Sequence, residues 1–234
     1  MIQYINIIKK YTPSVFYIFF KKIYHILRFY SLIKPNYNTS GFIKFGGEET
    51  GNFLKDKILK SNFFLEFGSG NTTIFAFKNK INFYSIESDR NFYFHLKNEN
   101  IKNIYFYSLG FVEHYSYPLF KSAIFQKFYK TRAKAYASKV FQELKKNSLF
   151  PDLILVDGRY RVLCMLHIFN FLKINNLINT CVILDDFKER QYYQVLKNFF
   201  KITTKGRLGI CFLDESVSNK KFETLIDFYS NDPR

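Results

Sequence analysis

The sequence predicts an α/β fold: a doubly wound, mostly parallel seven-stranded sheet with a closing antiparallel hairpin and an N-terminal helical extension. Three observations predict it. Short apolar runs alternate with helix-length segments and tight turns, the pattern of strands joined by crossover helices. The run Phe63-Phe64-Leu65-Glu66-Phe67 passes straight into the turn Gly68-Ser69-Gly70 and then into the helix starters Asn71, Thr72 and Thr73. Five carboxylates, Glu66, Glu87, Asp157, Asp185 and Asp186, fall at the ends of predicted strands in a chain with 19 acidic residues, which is more than chance placement gives.

Residues 1–34 stand apart from the rest. They carry Lys9, Lys10, Lys21, Lys22, Arg28 and Lys34, no acid, and nine Phe or Tyr residues. Only ten uncharged residues separate Lys10 from Lys21, too few to span a bilayer, and no small-residue cleavage site follows. From Val15 to Ile33 the apolar residues surround the predicted helix more than they line one face. Four readings fit that pattern: a helix packed on its own domain, a helix lying on a membrane surface, a dimer contact, or a lid over the active site. Pro35 and the stretch 36–41 form a turn-rich linker, so the expected division is an extension over 1–41 and a main domain over 42–234.

The main domain opens with a short amphipathic helix over Thr50–Leu59. After the glycine-turn strand come a helix over 71–79, a strand over Ile81–Ile86 ending on Glu87, a helix over 89–98 and a strand over Ile101–Ser108. Residues 109–130 fit neither period, and a basic helix follows over Arg132–Lys146. A strand over Pro151–Val156 ends in Asp157-Gly158-Arg159-Tyr160-Arg161, and a buried helix covers Val162–Leu172. A strand over Cys181–Leu184 ends in Asp185-Asp186, a helix runs from Glu189 to Phe199, and two strands over Phe200–Thr204 and Leu208–Leu213 flank Gly206.

At 234 residues with 47% hydrophobic content, the chain has the material for one packed core. Thirty Phe, eighteen Tyr and no Trp beside abundant Lys, Asn and Ile match the codon bias of an AT-rich genome. That bias is a rival explanation of the net charge of +16, which otherwise points to a nucleic acid or an anionic membrane surface as partner. Cys164, Cys181 and Cys211 lie within apolar runs without metal-ligand spacing, as buried free thiols in a reducing cytoplasm do.

In an open parallel sheet the ligand sits outside the carboxyl ends of the strands. Gly68 and Gly70 give main-chain N–H groups that a ligand can approach, and Asn71 starts a helix whose dipole faces the same crevice. Glu87, about 20 residues past the turn, stands where a carboxylate grips the two hydroxyls of a ribose. The third glycine of the dinucleotide fingerprint is replaced by Thr73, which weakens a NAD reading. His114, in the irregular insertion, is a candidate general base, against the alternative of a surface histidine.

At these residues the chain resembles class I S-adenosylmethionine-dependent methyltransferases. Glu66-Phe67-Gly68-Ser69-Gly70 matches their acidic-x-G-x-G motif, and Glu87 their acid after the next strand; Thr72 departs from a further glycine often found there. The resemblance implies that Gly68, Ser69 and Gly70, with Glu66, face the methionine part of S-adenosyl-L-methionine, with Asn71 beside them, Glu87 on the ribose and Asp157 at the reacting centre. Asp157, Asp185 and Asp186 also resemble the metal site of catechol-type O-methyltransferases, which implies Mg²⁺, with Asp157 and Asp185 taking part in catalysis. Arg159 and Arg161 would clamp an anionic group on the acceptor or pair with Asp185, Asp186 or Glu189. The runs 156–162 and 184–187, with Arg190, look like bacterial methyltransferase-like proteins associated with surface-polysaccharide synthesis, which implies a sugar or nucleotide-sugar acceptor. The expectation is a cytoplasmic O-methyltransferase, with residues 1–34 offering a peripheral contact to the inner face of a membrane or to a protein. Two others stand beside it: an RNA methyltransferase using the basic surface, and a non-catalytic scaffold that keeps the fold.

Overall fold

A computed structural model describes residues 14–33, 37, 39–113, 117–217 and 222–234. Seven strands form one mixed sheet: β1 (Phe64–Phe67), β2 (Phe83–Glu87), β3 (Ile104–Phe106), β4 (Leu153–Val156), β5 (Cys181–Leu184), β6 (Phe200–Lys205) and β7 (Leu208–Leu213). Their order is β3-β2-β1-β4-β5-β7-β6. The first five are parallel, and β7 runs antiparallel to both β5 and β6. The order in which strands are added therefore reverses between β1 and β4, which opens a crevice at the carboxyl ends of those strands.

The register fixes which side chains face which layer. Leu65, Phe67, Ile154, Val156, Val182 and Leu184 pack under α5 (Ala123–Lys146), α6 (Arg161–Ile174) and α7 (Phe222–Tyr229). Phe64, Leu153, Leu155 and Ile183 face α2 (Glu48–Leu59), α3 (Asn71–Lys78) and α4 (Arg90–Asn98). With both faces covered, β1, β4 and β5 are buried along their whole length, so they read as continuous apolar runs. Each such side chain contributes ~1.5–3 kcal/mol by leaving water. The three cysteines are buried and free.

Three elements differ from their sequence reading. The basic helix begins at Ala123, nine residues before Arg132, because Phe125 and Tyr129 in its first turns pack on each other and Phe125 on Phe120. Those contacts are tertiary and leave no 3.6-residue stripe. The segment Gln191–Asn198 is a 3-10 helix rather than an α-helix. The C-terminal helix α7 was not read from the sequence at all. Beyond the sheet, α1 (Ser14–Phe29) lies across the carboxyl ends of β2 and β3, held by ion pairs from Lys21 to Glu113 and from Arg28 to Asp89.

Candidate functional site

A cavity of about 630 Å³ opens at the carboxyl ends of β2 and β3. Its floor and walls come from Glu87, Ser88, Asp89, Phe106, Ser108 and Gly110, with Arg159 entering from the end of β4. Helix α1 roofs it with His25, Arg28 and Phe29. Asp89 caps α4, accepting from the N–H groups of Asn91 and Phe92 at 2.9 and 3.1 Å through one oxygen, while Arg28 takes the other. Asn91 Nδ2 donates to the Arg28 carbonyl at 2.9 Å, so the roof is tied to the same turn that ends β2.

Glu87 is the last residue of β2 and only 7% exposed. The N–H groups of Ser88 and Asp89 both donate to its Oε1, each at 2.6 Å. Among the described residues none donates to Oε2. Burial pushes the carboxyl up to about 8, against the pull of those two N–H groups. A desolvated carboxylate on a cavity wall with an unmet oxygen is suited to a ligand that brings hydroxyl donors.

Glu66 is placed otherwise than expected. It is fully buried, and Thr72, Thr73 and Ser85 all donate their hydroxyls to it, Ser85 at 2.8 Å. Thr73 Oγ1 in turn accepts from the Gly70 N–H at 2.8 Å. The two threonines that break the glycine pattern are thus the ones that tie β1 to the start of α3, and Glu66 acts as an internal bracket. Burial lifts its carboxyl to about 7 despite the three hydroxyls.

The glycine turn is not part of the cavity lining. Gly68 has φ +96°, and a Cβ there would lie 2.4 Å from the Cα of Gly158, so the turns after β1 and β4 touch backbone to backbone. That close approach is what requires glycine at 68. Gly70 is extended and faces open space. Ser69 Oγ meets Ser85 Oγ at 2.7 Å, and Asn71 Oδ1 accepts from the Ser40 and Gly41 N–H groups at 3.3 and 3.1 Å.

The aspartates at the ends of β4 and β5 are brought together, but with arginines between them. Arg207 grips Asp185 bidentately through Nε and Nη2 and reaches Asp186 at 3.2 Å. Arg190 meets Asp186 at 2.6 Å, and Arg161 meets Asp157 at 2.8 Å and Asp186 at 3.0 Å. Three carboxylates therefore face three guanidinium groups. The Asp185 side chain is 1% exposed and that of Asp186 11%, whereas Asp157 keeps 34%. This set does not fit a Mg²⁺ ion: the oxygens a hard cation needs are already taken by cations. Among the described residues no group of three His, Cys, Asp or Glu is placed to hold a metal. Asp185 is likewise sealed from any acceptor, so neither the metal role nor the catalytic role expected of it has support here.

Arg161 is not an acceptor clamp but the centre of this cluster. It is 6% exposed and donates to the carbonyls of Gly158, Asp157 and Asp185 as well as to Asp157 and Asp186. Of the two arginines, Arg159 is the one that lines the cavity. Burial raises the Asp157 carboxyl and Arg161 opposes that rise. Tyr160 and Asp186 sit in left-handed backbone at φ 52° and 60°, a conformation that costs a non-glycine residue roughly 1–2 kcal/mol and gathers at functional sites. His114 lies outside the described residues.

Arg207, Arg28 and His25 escaped the sequence reading. Arg207 lies 22 residues from Asp185 and Arg28 lies 61 from Asp89, with no local spacing to link either pair. Arg190, at i+4 from Asp186, did carry a readable signal.

A mixed sheet whose strand order switches between β1 and β4, with helices on both faces and a cavity at the strand ends, is an arrangement this chain shares with a methyltransferase-like protein. The chain superposes on the crystal structure of a methyltransferase-like protein from Silicibacter pomeroyi DSS-3 with a TM-score of 0.64 and 19% identity, covering 86% of this chain and 99% of that one. The SAH-bound methyltransferase PaMTH1 of Podospora anserina is more distant, at a TM-score of 0.41 and 11% identity over 87% of this chain and 89% of that one. At these identities the likeness is one of fold. No protein-family model and no curated protein matches the sequence. No described helix is long and apolar enough to cross a membrane.

Proposed function

We propose that the protein is an S-adenosylmethionine-dependent methyltransferase acting on a hydroxyl of a small or glycan-related acceptor. The observation that carries this reading is Glu87: a buried carboxylate at the end of β2, lining a cavity of about 630 Å³ in a methyltransferase fold, with one oxygen met by no donor among the described residues. A ribose diol supplies hydroxyl donors that the unmet oxygen can accept. Ser88 and Asp89 hold the carboxylate in place through their N–H groups, and α1 covers one side of the cavity. When bound, the cofactor supplies an electrophilic methyl group on a sulfonium. Asp157 is the one aspartate of its cluster with a solvent-facing edge, and burial raises its affinity for a proton above that of an ordinary aspartate. It is therefore suited to accept the proton of an acceptor hydroxyl, while Arg161 keeps it oriented. The resemblance of the runs 156–162 and 184–187 supports a glycan-related acceptor, and nothing in the arginine-filled cluster calls for Mg²⁺.

Calorimetric titration with S-adenosylhomocysteine, with and without Mg²⁺, tests the assignment. Loss of two hydrogen bonds to a charged group, at ~1.5 kcal/mol each or more, weakens binding by roughly a hundredfold in Glu87→Ala. Wild-type protein that binds no S-adenosylhomocysteine under either condition, or a variant that binds it equally well, overturns the reading and leaves the scaffold alternative.

A further inference from the structure

A second cavity, of about 620 Å³, lies beside the first. Glu113 lines both, and the consecutive residues Arg159 and Tyr160 line the first and the second in turn. The two cavities therefore share a wall that includes Glu113 and the turn after β4. A volume of this size is that of an ordinary small-ligand site.

The chemistry of the wall narrows the ligand. Tyr117, Tyr129, Tyr160 and Phe120 present aromatic surface. Gln126 brings a complete amide, and Asn231 brings an amide oxygen, its Nδ2 being spent on the Asp227 carbonyl at 3.2 Å. Two charged residues belong to the lining: Glu113 is neutralised by Lys21 from α1, and Lys121 is exposed. Tyr129 donates to the Phe111 carbonyl at 2.5 Å, so its hydroxyl is occupied. Tyr160 differs. The residue is 2% exposed and lines the cavity, and no described residue hydrogen-bonds its hydroxyl. A phenol hydroxyl on a cavity wall without a protein partner can both donate to and accept from a ligand.

We propose that this second cavity is the acceptor site and that it takes an uncharged sugar ring, whose C–H face lies on the tyrosines and whose hydroxyls pair with Tyr160, Gln126 and Asn231. A purely aromatic acceptor would leave those three polar groups unmet. A phosphorylated one would find Lys121 at the surface and the Glu113 carboxylate in the wall. As an acceptor site the assignment rests on the methyltransferase reading; as a sugar site it does not.

The test separates the two. Saturation-transfer NMR with the methyl glycosides of glucose, galactose, mannose and fucose is run on the full chain, with and without S-adenosylhomocysteine, on wild type, Tyr160→Phe and Gln126→Ala. The proposal expects at least one glycoside to bind in the millimolar range, ~10 mM or tighter. It expects Tyr160→Phe to weaken that binding about tenfold, the effect of one lost hydrogen bond, with S-adenosylhomocysteine affinity unchanged. Gln126→Ala, at an exposed position, should weaken it by a smaller factor without altering the melting temperature. Glycoside binding without S-adenosylhomocysteine binding keeps the sugar site and removes the methyltransferase reading. The proposal is overturned if no glycoside binds, if Tyr160→Phe binds as wild type does, or if only sugar phosphates bind.

Discussion

Glu87→Gln should stabilise the ligand-free protein in alkaline solution and, on the proposed function, weaken its binding of S-adenosylhomocysteine. Burial lifts the Glu87 carboxyl from 4.5 to about 8 in the folded chain. An acid whose folded value lies above its unfolded one costs nothing below pH 4.5, where both states are protonated. The cost grows as pH rises toward 8, because the unfolded chain ionises and the folded one does not, and it is complete above that. At ~1.36 kcal/mol per pH unit the full cost approaches ~5 kcal/mol. Glutamine is neutral, has nearly the same shape and keeps an oxygen for the Ser88 and Asp89 N–H groups, so it escapes most of this term. The expected gain is under ~1 kcal/mol at pH 5 and ~2–4 kcal/mol at pH 9. For a chain of this size each kcal/mol raises the melting temperature by roughly 2–4 °C. Thermal unfolding of both proteins at the two pH values isolates the effect, since titrations common to both cancel in the double difference. The same samples are then titrated with S-adenosylhomocysteine. A variant no more stable than wild type at pH 9, or one that still binds S-adenosylhomocysteine as tightly, refutes the account of Glu87 as a strained, ligand-seeking carboxylate.

Two further perturbations follow from the strand ends. Arg161→Met removes the cation shared by Asp157 and Asp186 and leaves buried charge uncompensated, which costs ~3–5 kcal/mol, or roughly 6–20 °C in melting temperature; a loss below ~1 kcal/mol would mean that Arg190 and Arg207 suffice to hold the cluster. Gly68→Ala drives a Cβ to 2.4 Å from the Gly158 Cα at a φ of +96° and should prevent folding or cost ~3 kcal/mol or more, whereas Gly70→Ala meets nothing within 4 Å and should stay within about 1 kcal/mol of wild type by denaturant unfolding. Equal effects of the two alanines would mean that the contact between the turns after β1 and β4 does not govern this region.

Much of the architecture was legible because it depends on local pattern. The apolar run ending at Phe67, the turn after it and the helix from Asn71 occupy the positions their residue types dictate, and so do β2, β4, β5 and the hairpin of β6 and β7. Buried parallel strands must be apolar on both faces, so they announce themselves. The first turns of α5 did not, since their aromatics are arranged to meet Phe120 rather than to form a stripe. The 3-10 segment at 191–198 and α7 likewise owe their form to what they pack against.

For the site the division is sharper. Sequence alone placed Glu66, Glu87, Asp157, Asp185 and Asp186 at strand ends, because strand length and spacing set where each strand stops. It did not determine which of them a ligand can reach. Glu66 is enclosed by three hydroxyls, Asp185 is taken by an arginine from the β6–β7 turn, and Glu87 alone of these lines the cavity beneath a helix from the start of the chain. A carboxylate's availability is a matter of which cation or donor lies within a few ångströms, and for Glu66 and Asp185 partners come from residues 19 and 22 positions away. Only the folded chain brings them together, so only the tertiary structure could separate the enclosed acids from the one that lines a cavity.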